Sequence, residues 1–187
     1  MKKPVALTFL TLALAAGLPR AASAIDFGDI DFSVDMKKAY YGVAMFNPNY
    51  KTSTNDHRST GLVGRLGYDI SKHFAVEAHV ASTIGSEAAV DTAQGEMQMS
   101  NLYGAFLRAN TQYGLGRIYI LGGYAHGTRT VKFPQSSFED DDSNKAFGFG
   151  AEISDDGMFG IGLEWIKYFD NRYYTVEAWN LGIVSRF

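Results

Sequence analysis

The sequence contains no cysteine and only four prolines in 187 residues. Without cysteine, neither disulfides nor thiolate metal sites can stabilise the chain. Scarce proline permits long, unbroken strands, because each proline removes a donor from a sheet ladder. Long apolar runs are missing as well: beyond the amino terminus no stretch reaches the ~18 consecutive apolar residues of a helical span. Basic charge is also in short supply. With 17 Lys and Arg against 20 Asp and Glu, the chain lacks the positive surface that nucleic-acid binding requires.

Glycine, at 20 residues, and aromatics, at 14 %, are plentiful. That mixture suits curved, aromatic-rich strands. The amino terminus differs from the rest. Met1-Lys2-Lys3 is basic, Val5 to Leu18 is apolar, and Pro19-Arg20 leads into Ala22-Ser23-Ala24. This is the layout of a secretory signal peptide with a small-x-small cleavage site. The division expected is residues 1–24 as signal and residues 25–187 as one folded domain. Removing Lys2, Lys3 and Arg20 leaves 14 basic against 20 acidic side chains, a net charge of −6. Such a charge also fits poorly with a peripheral protein held by anionic lipid.

Period-two alternation predicts eight strands, roughly 38–46, 60–70, 73–83, 99–109, 117–127, 145–154, 158–168 and 173–187. Most match the ~9–11 residues of a tilted membrane strand. Connections 47–59, 84–98 and 128–144 are long and polar, whereas those at Ser71-Lys72 and Asp155-Asp156-Gly157 are tight. Long and short alternate until the last connection, at residues 170–172, which is short. Outer-membrane barrels have this asymmetry of short periplasmic turns and longer outward loops. Residues 25–36 alternate only in part and read as a short leader.

One face of the strands gathers charge beside glycine. If Ser71 centres its hairpin, Arg65 lies opposite Glu77. The same face holds Arg108, Glu152, Glu164 and Arg186. In a small membrane barrel this face is the interior, which side chains fill. The six charges are therefore expected to interlock as a structural network that plugs the lumen. The opposite face carries Tyr103, Leu107, Phe149, Ile161, Leu163 and Trp165, suited to lipid. The closing segment repeats the pattern, with Trp179, Leu181, Ile183 and terminal Phe187 on its apolar face.

Three features resemble a known family: the hairpin Gly67-Tyr68-Asp69-Ile70-Ser71-Lys72-His73-Phe74-Ala75-Val76-Glu77-Ala78; the strands Phe147–Glu152 and Gly162–Trp165; and the closing Trp179–Phe187. The family is the small eight-stranded outer-membrane β-barrel proteins of OmpA/OmpX type, often described as porin-family. The resemblance implies an all-β, antiparallel, up-and-down transmembrane barrel of a Gram-negative cell envelope. It also implies that Trp179, Leu181, Ile183 and Phe187 form a signal read by the barrel-assembly machinery. Ser185 departs from the bulkier residue usual in that signal, and no wall-binding domain is expected after the barrel.

The function expected is structural or surface-interaction, with the long loops as contact surface. Lipid and lipopolysaccharide of the outer membrane are the expected partners; the chain is read as a monomer without cofactor. One alternative is a low-conductance channel or carrier for apolar compounds. Another is a lipid A-modifying hydrolase. The latter's His-x-Ser-Asn pattern is absent, and His57-Arg58-Ser59-Thr60 is the nearest approach. His79 reads as a polar lumen filler and His73 as a turn residue. Glu139-Asp140-Asp141-Asp142 lacks the glycine and ligand spacing of a calcium loop and reads as a solvated, mobile loop.

Overall fold

The computed structural model describes residues 35–187 apart from 53–55, 85–86, 90–94, 134–135, 156–157 and 173. The expected signal peptide, most of the leader and part of each long connection therefore lie outside the described residues. A short 3-10 turn, Met36–Lys38, is capped by Asp35, whose Oδ1 accepts from Lys37 N at 3.1 Å. The strands that follow are β1 (Ala39–Thr52), β2 (Asp56–Arg58), β3 (Gly61–Asp69), β4 (Phe74–Thr83), β5 (Glu87–Ala89), β6 (Gly95–Tyr113), β7 (Gly116–Phe133), β8 (Ser136–Asp155), β9 (Phe159–Asp170) and β10 (Tyr174–Arg186).

Eight of these strands are staves of a closed antiparallel barrel, each paired to its neighbour and β10 paired back to β1. β2 and β5 are short additions that pair antiparallel with the far ends of β1 and β6. Closure requires tilt, and the register measures it. Pairing leads from Asn49 through Glu177, Lys167, Phe147, Gly122, Leu107, Val76 and Tyr68 to Ala39, ten positions lower on β1. An offset of that size around eight staves tilts them by roughly 40° and leaves an interior only wide enough for side chains.

Alternation assigns the two faces. On β1, Tyr40, Ala44, Phe46 and Tyr50 are buried inside while Tyr41, Val43 and Met45 are exposed outside. A belt of exposed Leu66, Val80, Leu107, Ile120, Leu163 and Ile183 girdles the barrel. A soluble barrel would bury such residues; here they form the apolar band that lipid satisfies.

Two sequence expectations change. The β3–β4 hairpin centres on Lys72, not Ser71, so Arg65 faces His79 and Glu77 faces Gly67. The cause is a four-residue turn, Ile70–His73, in which Ser71 Oγ accepts from His73 N and Phe74 N at 3.2 and 3.1 Å. Second, residues 128–144 are mostly strand: β7 and β8 stay paired as far as Phe133 and Ser136. The acidic run sits on that hairpin and is tied down. Asp140 accepts from Arg129, and Asp142 accepts from Asn171 Nδ2 and Tyr174 OH at 2.7 and 2.8 Å. Nearby, the exposed Asp170 carboxyl is held below its usual range, chiefly by a hydrogen bond from Lys167.

Candidate functional site in the barrel lumen

Inward positions of the staves meet in two tiers. Nearer the end that carries Tyr40 and Arg186 lies a charged tier. Arg108, fully buried, places Nη1 3.2 Å from Glu77 Oε2 and 2.9 Å from Glu152 Oε1. Arg186 Nη2 reaches the other oxygen of Glu152 at 2.7 Å. Arg65 Nη1 lies 3.2 Å from Glu164 Oε2 and 3.9 Å from Glu77 Oε1. The six charges thus form one alternating chain, in the order Arg186, Glu152, Arg108, Glu77, Arg65 and Glu164. Each charge has an opposite neighbour, the condition under which buried ions are tolerated.

The six come from β10, β8, β6, β4, β3 and β9. The other two staves contribute tyrosines that the sequence reading did not single out. Tyr40 of β1 donates to Glu77 Oε2 at 2.6 Å, and Tyr119 of β7 donates to Glu164 Oε2 at 3.1 Å. Every stave therefore supplies a side chain to one hydrogen-bonded layer. The tyrosine faces also receive cations: the Arg108 guanidinium carbon lies 3.6 Å from the Tyr119 ring centroid, and that of Arg186 lies 5.2 Å from Tyr40. Such stacking stabilises a desolvated guanidinium.

The glycines beside the charges have a spatial reason. Tyr40, Gly67 and Glu77 form one row across β1, β3 and β4. Tyr119, Gly150 and Glu164 form a second row across β7, β8 and β9. In each row the ring passes over the glycine to reach the carboxylate. A Cβ on Gly67 would stand 2.1 Å from Tyr40 Cζ, and one on Gly150 2.4 Å from Tyr119 Cζ. The signal was present in the sequence as inward tyrosine and inward glycine, but the row appears only once the register is known.

Above the charges lies an aromatic and aliphatic tier, with Phe46, Tyr50, Leu102, Phe106, Ile166, Tyr168 and Phe169 all buried. Charge thus occupies one tier of the interior rather than all of it. His79 joins the two tiers: Nε2 meets Glu77 Oε1 at 2.7 Å and Nδ1 meets Tyr168 OH at 3.1 Å. Its ring also packs 4.7 Å from Phe106.

Glu77, His79 and Glu164 bring possible ligand atoms within 4.8 Å of one another. The same carboxylates already face Arg65 and Arg108, so a divalent ion there would compete with two buried cations. The donor set fits an ion-pair layer better than a metal centre.

Among the described residues, His73, His79 and His126 show no catalytic constellation. His57 belongs to β2, opposite Tyr50. His73 lies in the hairpin turn. On the outer wall, His126 Nδ1 is 2.9 Å from Ser143 Oγ, a pairing the sequence reading missed because it joins two strands. Among the described residues no carboxylate orients that imidazole, which a nucleophile–base pair needs. The carboxy-terminal strand sits outward-facing at Trp179, Leu181, Ile183 and Phe187, all exposed. The Phe187 ring packs on Tyr41 of β1 with centroids 5.5 Å apart, beside the closing seam.

An apolar belt outside and a polar layer within define the class as a transmembrane β-barrel of eight strands. The chain belongs to the outer membrane protein beta-barrel domain family, which it matches over residues 8–187. Among solved structures it is similar to Ail, the attachment invasion locus protein of Yersinia pestis, at 16 % identity and a TM-score of 0.63, with 80 % of this chain and 97 % of that one covered. The N-terminal barrel domain of Pseudomonas aeruginosa OprF aligns at 15 % identity and a TM-score of 0.59, covering 79 % and 97 %. Neisserial surface protein A aligns at 11 % identity and a TM-score of 0.60, covering 80 % and 97 %. These likenesses establish shared fold. No curated protein matches the chain.

Proposed function

We propose that the protein is a closed outer-membrane barrel with a structural or surface-interaction role, exported through the general secretory route and inserted as a monomer. The observation that carries this reading is the interior: an alternating charge chain below an aromatic tier leaves side chains where a pore would run. The start of β1, the carboxy-terminal Phe187 and the turns at 70–73 and 114–115 face the periplasm. β2, β5 and the long β7–β8 hairpin face outward and form the contact surface. The apolar belt is solvated by membrane lipid, with lipopolysaccharide at the outer rim. Trp179, Leu181, Ile183 and Phe187 serve as the strand that the barrel-assembly machinery receives.

Folded barrel should migrate differently from boiled barrel on a detergent gel, and the protein should fractionate with outer membranes. Identical migration, or recovery as soluble periplasmic material, contradicts the reading. A hydrolase is disfavoured because the His126–Ser143 pair has no orienting acid among the described residues.

A further inference from the structure

A groove of about 650 Å³ opens on the outer wall near the end of the barrel opposite Phe187. Its floor is Trp179 of β10 and Trp165 of β9, which are directly opposed. They are the only tryptophans in the chain. Below them the wall continues through Leu181, Leu163, Ile183 and Ile161, all exposed. Above them stand Lys51 and Arg58. Lys51 Nζ is bonded to Glu177 at 3.2 Å, at the groove's edge. Arg58 is exposed and meets no carboxylate among the described residues. Asn49, directly opposite Arg58 in the pairing, has its Oδ1 enclosed without a donor.

We propose that this groove holds one phosphorylated lipid of the outer leaflet. This rests on the outer-membrane reading above and goes beyond it by naming a partner site. The acyl chains would lie along the Trp and Leu/Ile wall, where indole rings favour the membrane–water interface. The phosphate meets Arg58 and Lys51, and a headgroup hydroxyl donates to Asn49 Oδ1. Charge supports the assignment at Arg58: Lys51 is shared with Glu177 and stands opposite Asp56 in the pairing, whereas the Arg58 guanidinium is left for an anion on a chain whose mature part carries net −6. The apolar floor selects a lipid over a soluble anion, and the guanidinium selects a phosphate over a neutral headgroup.

Both tryptophans line the groove, so intrinsic fluorescence reports on it directly. The mature barrel, refolded in neutral detergent, is titrated with a bis-phosphorylated acylated disaccharide lipid. The expected result is a saturable spectral shift that weakens at least fivefold with Arg58→Ala. Glu177→Gln, which removes the competing carboxylate, should strengthen it, and Lys145→Ala on the neighbouring wall should leave it unchanged. The same lipid stripped of phosphate should bind at least fivefold more weakly, and inorganic phosphate should not compete. Equal binding by Arg58→Ala, or by the stripped lipid, overturns the proposal. Full competition by inorganic phosphate overturns it in favour of a soluble-anion site. Each sample is first checked for heat-modifiable migration. Loss of binding with migration intact counts against the groove alone, whereas loss of migration counts against the barrel reading.

Discussion

Tyr40 hydrogen-bonds Glu77 at 2.6 Å across an intervening strand, and Gly67 beneath the ring is what lets it do so. Tyr119, Gly150 and Glu164 repeat the device on the other side of the barrel. Gly67→Ala and Gly150→Ala should each lower stability by ~1–3 kcal/mol, since the added Cβ must displace a packed ring. Gly122→Ala is the control: its Cβ meets nothing within 4 Å, and its effect should be small. Urea unfolding in lipid vesicles, followed by tryptophan emission, measures all three.

Tyr40→Phe keeps the ring and removes the donor to a buried carboxylate. Hydrogen bonds to charged groups contribute ~1.5–3 kcal/mol, and a loss of that order is expected. A loss as large as that of Gly67→Ala combined with Tyr40→Phe would mean that the two act as one unit.

The charge chain predicts a ranking. Arg108 is fully buried and serves two carboxylates, so Arg108→Met should cost ~3–5 kcal/mol by stranding them. Arg186→Met should cost less, because its side chain is 12 % exposed and, among the described residues, has Glu152 alone as ion-pair partner. The order of unfolding midpoints checks this, and a reversed order would contradict the central place given to Arg108.

Two tiers predict two barriers. Removing Arg108 and Glu77 together opens the charged tier but leaves Phe106 and Tyr168 packed above it, with ring centroids 6.3 Å apart. Planar-bilayer current should stay at baseline in Arg108→Ala/Glu77→Ala and appear only when Phe106→Ala is added.

At the seam, Phe187→Ala loses the ring contact with Tyr41. Aromatic pairs contribute ~0.5–1.5 kcal/mol beyond area, so a loss of that size is expected in vesicles. A larger defect in outer-membrane insertion in cells would reflect the proposed assembly role, and equal effects in both settings would remove the need for it.

The barrel was legible in the sequence because lipid outside and a packed interior impose opposite demands on alternate residues. Face assignment survives a register error of two, since strand side chains repeat every second residue. That is why Arg65 and Glu77 share the interior although the hairpin centre falls on Lys72. Their partners were not legible: which charges meet across the lumen depends on tilt and stagger, which no single strand encodes. Tyr40 and Tyr119 were missed for the same reason. The β7–β8 hairpin was missed because polar residues occupy both strand faces at 128–130 and 139–144, so pairing continues while apolar alternation stops. The acidic run from Glu139 to Asp142 then resembles a loop.

Ion flow through the unaltered protein tests the account most directly. Heat-modifiable barrel inserted in a planar bilayer should produce no current above the lipid baseline, because Arg108, Glu77 and the aromatic tier fill the lumen. Steady, ohmic current steps from the same material would contradict a closed interior.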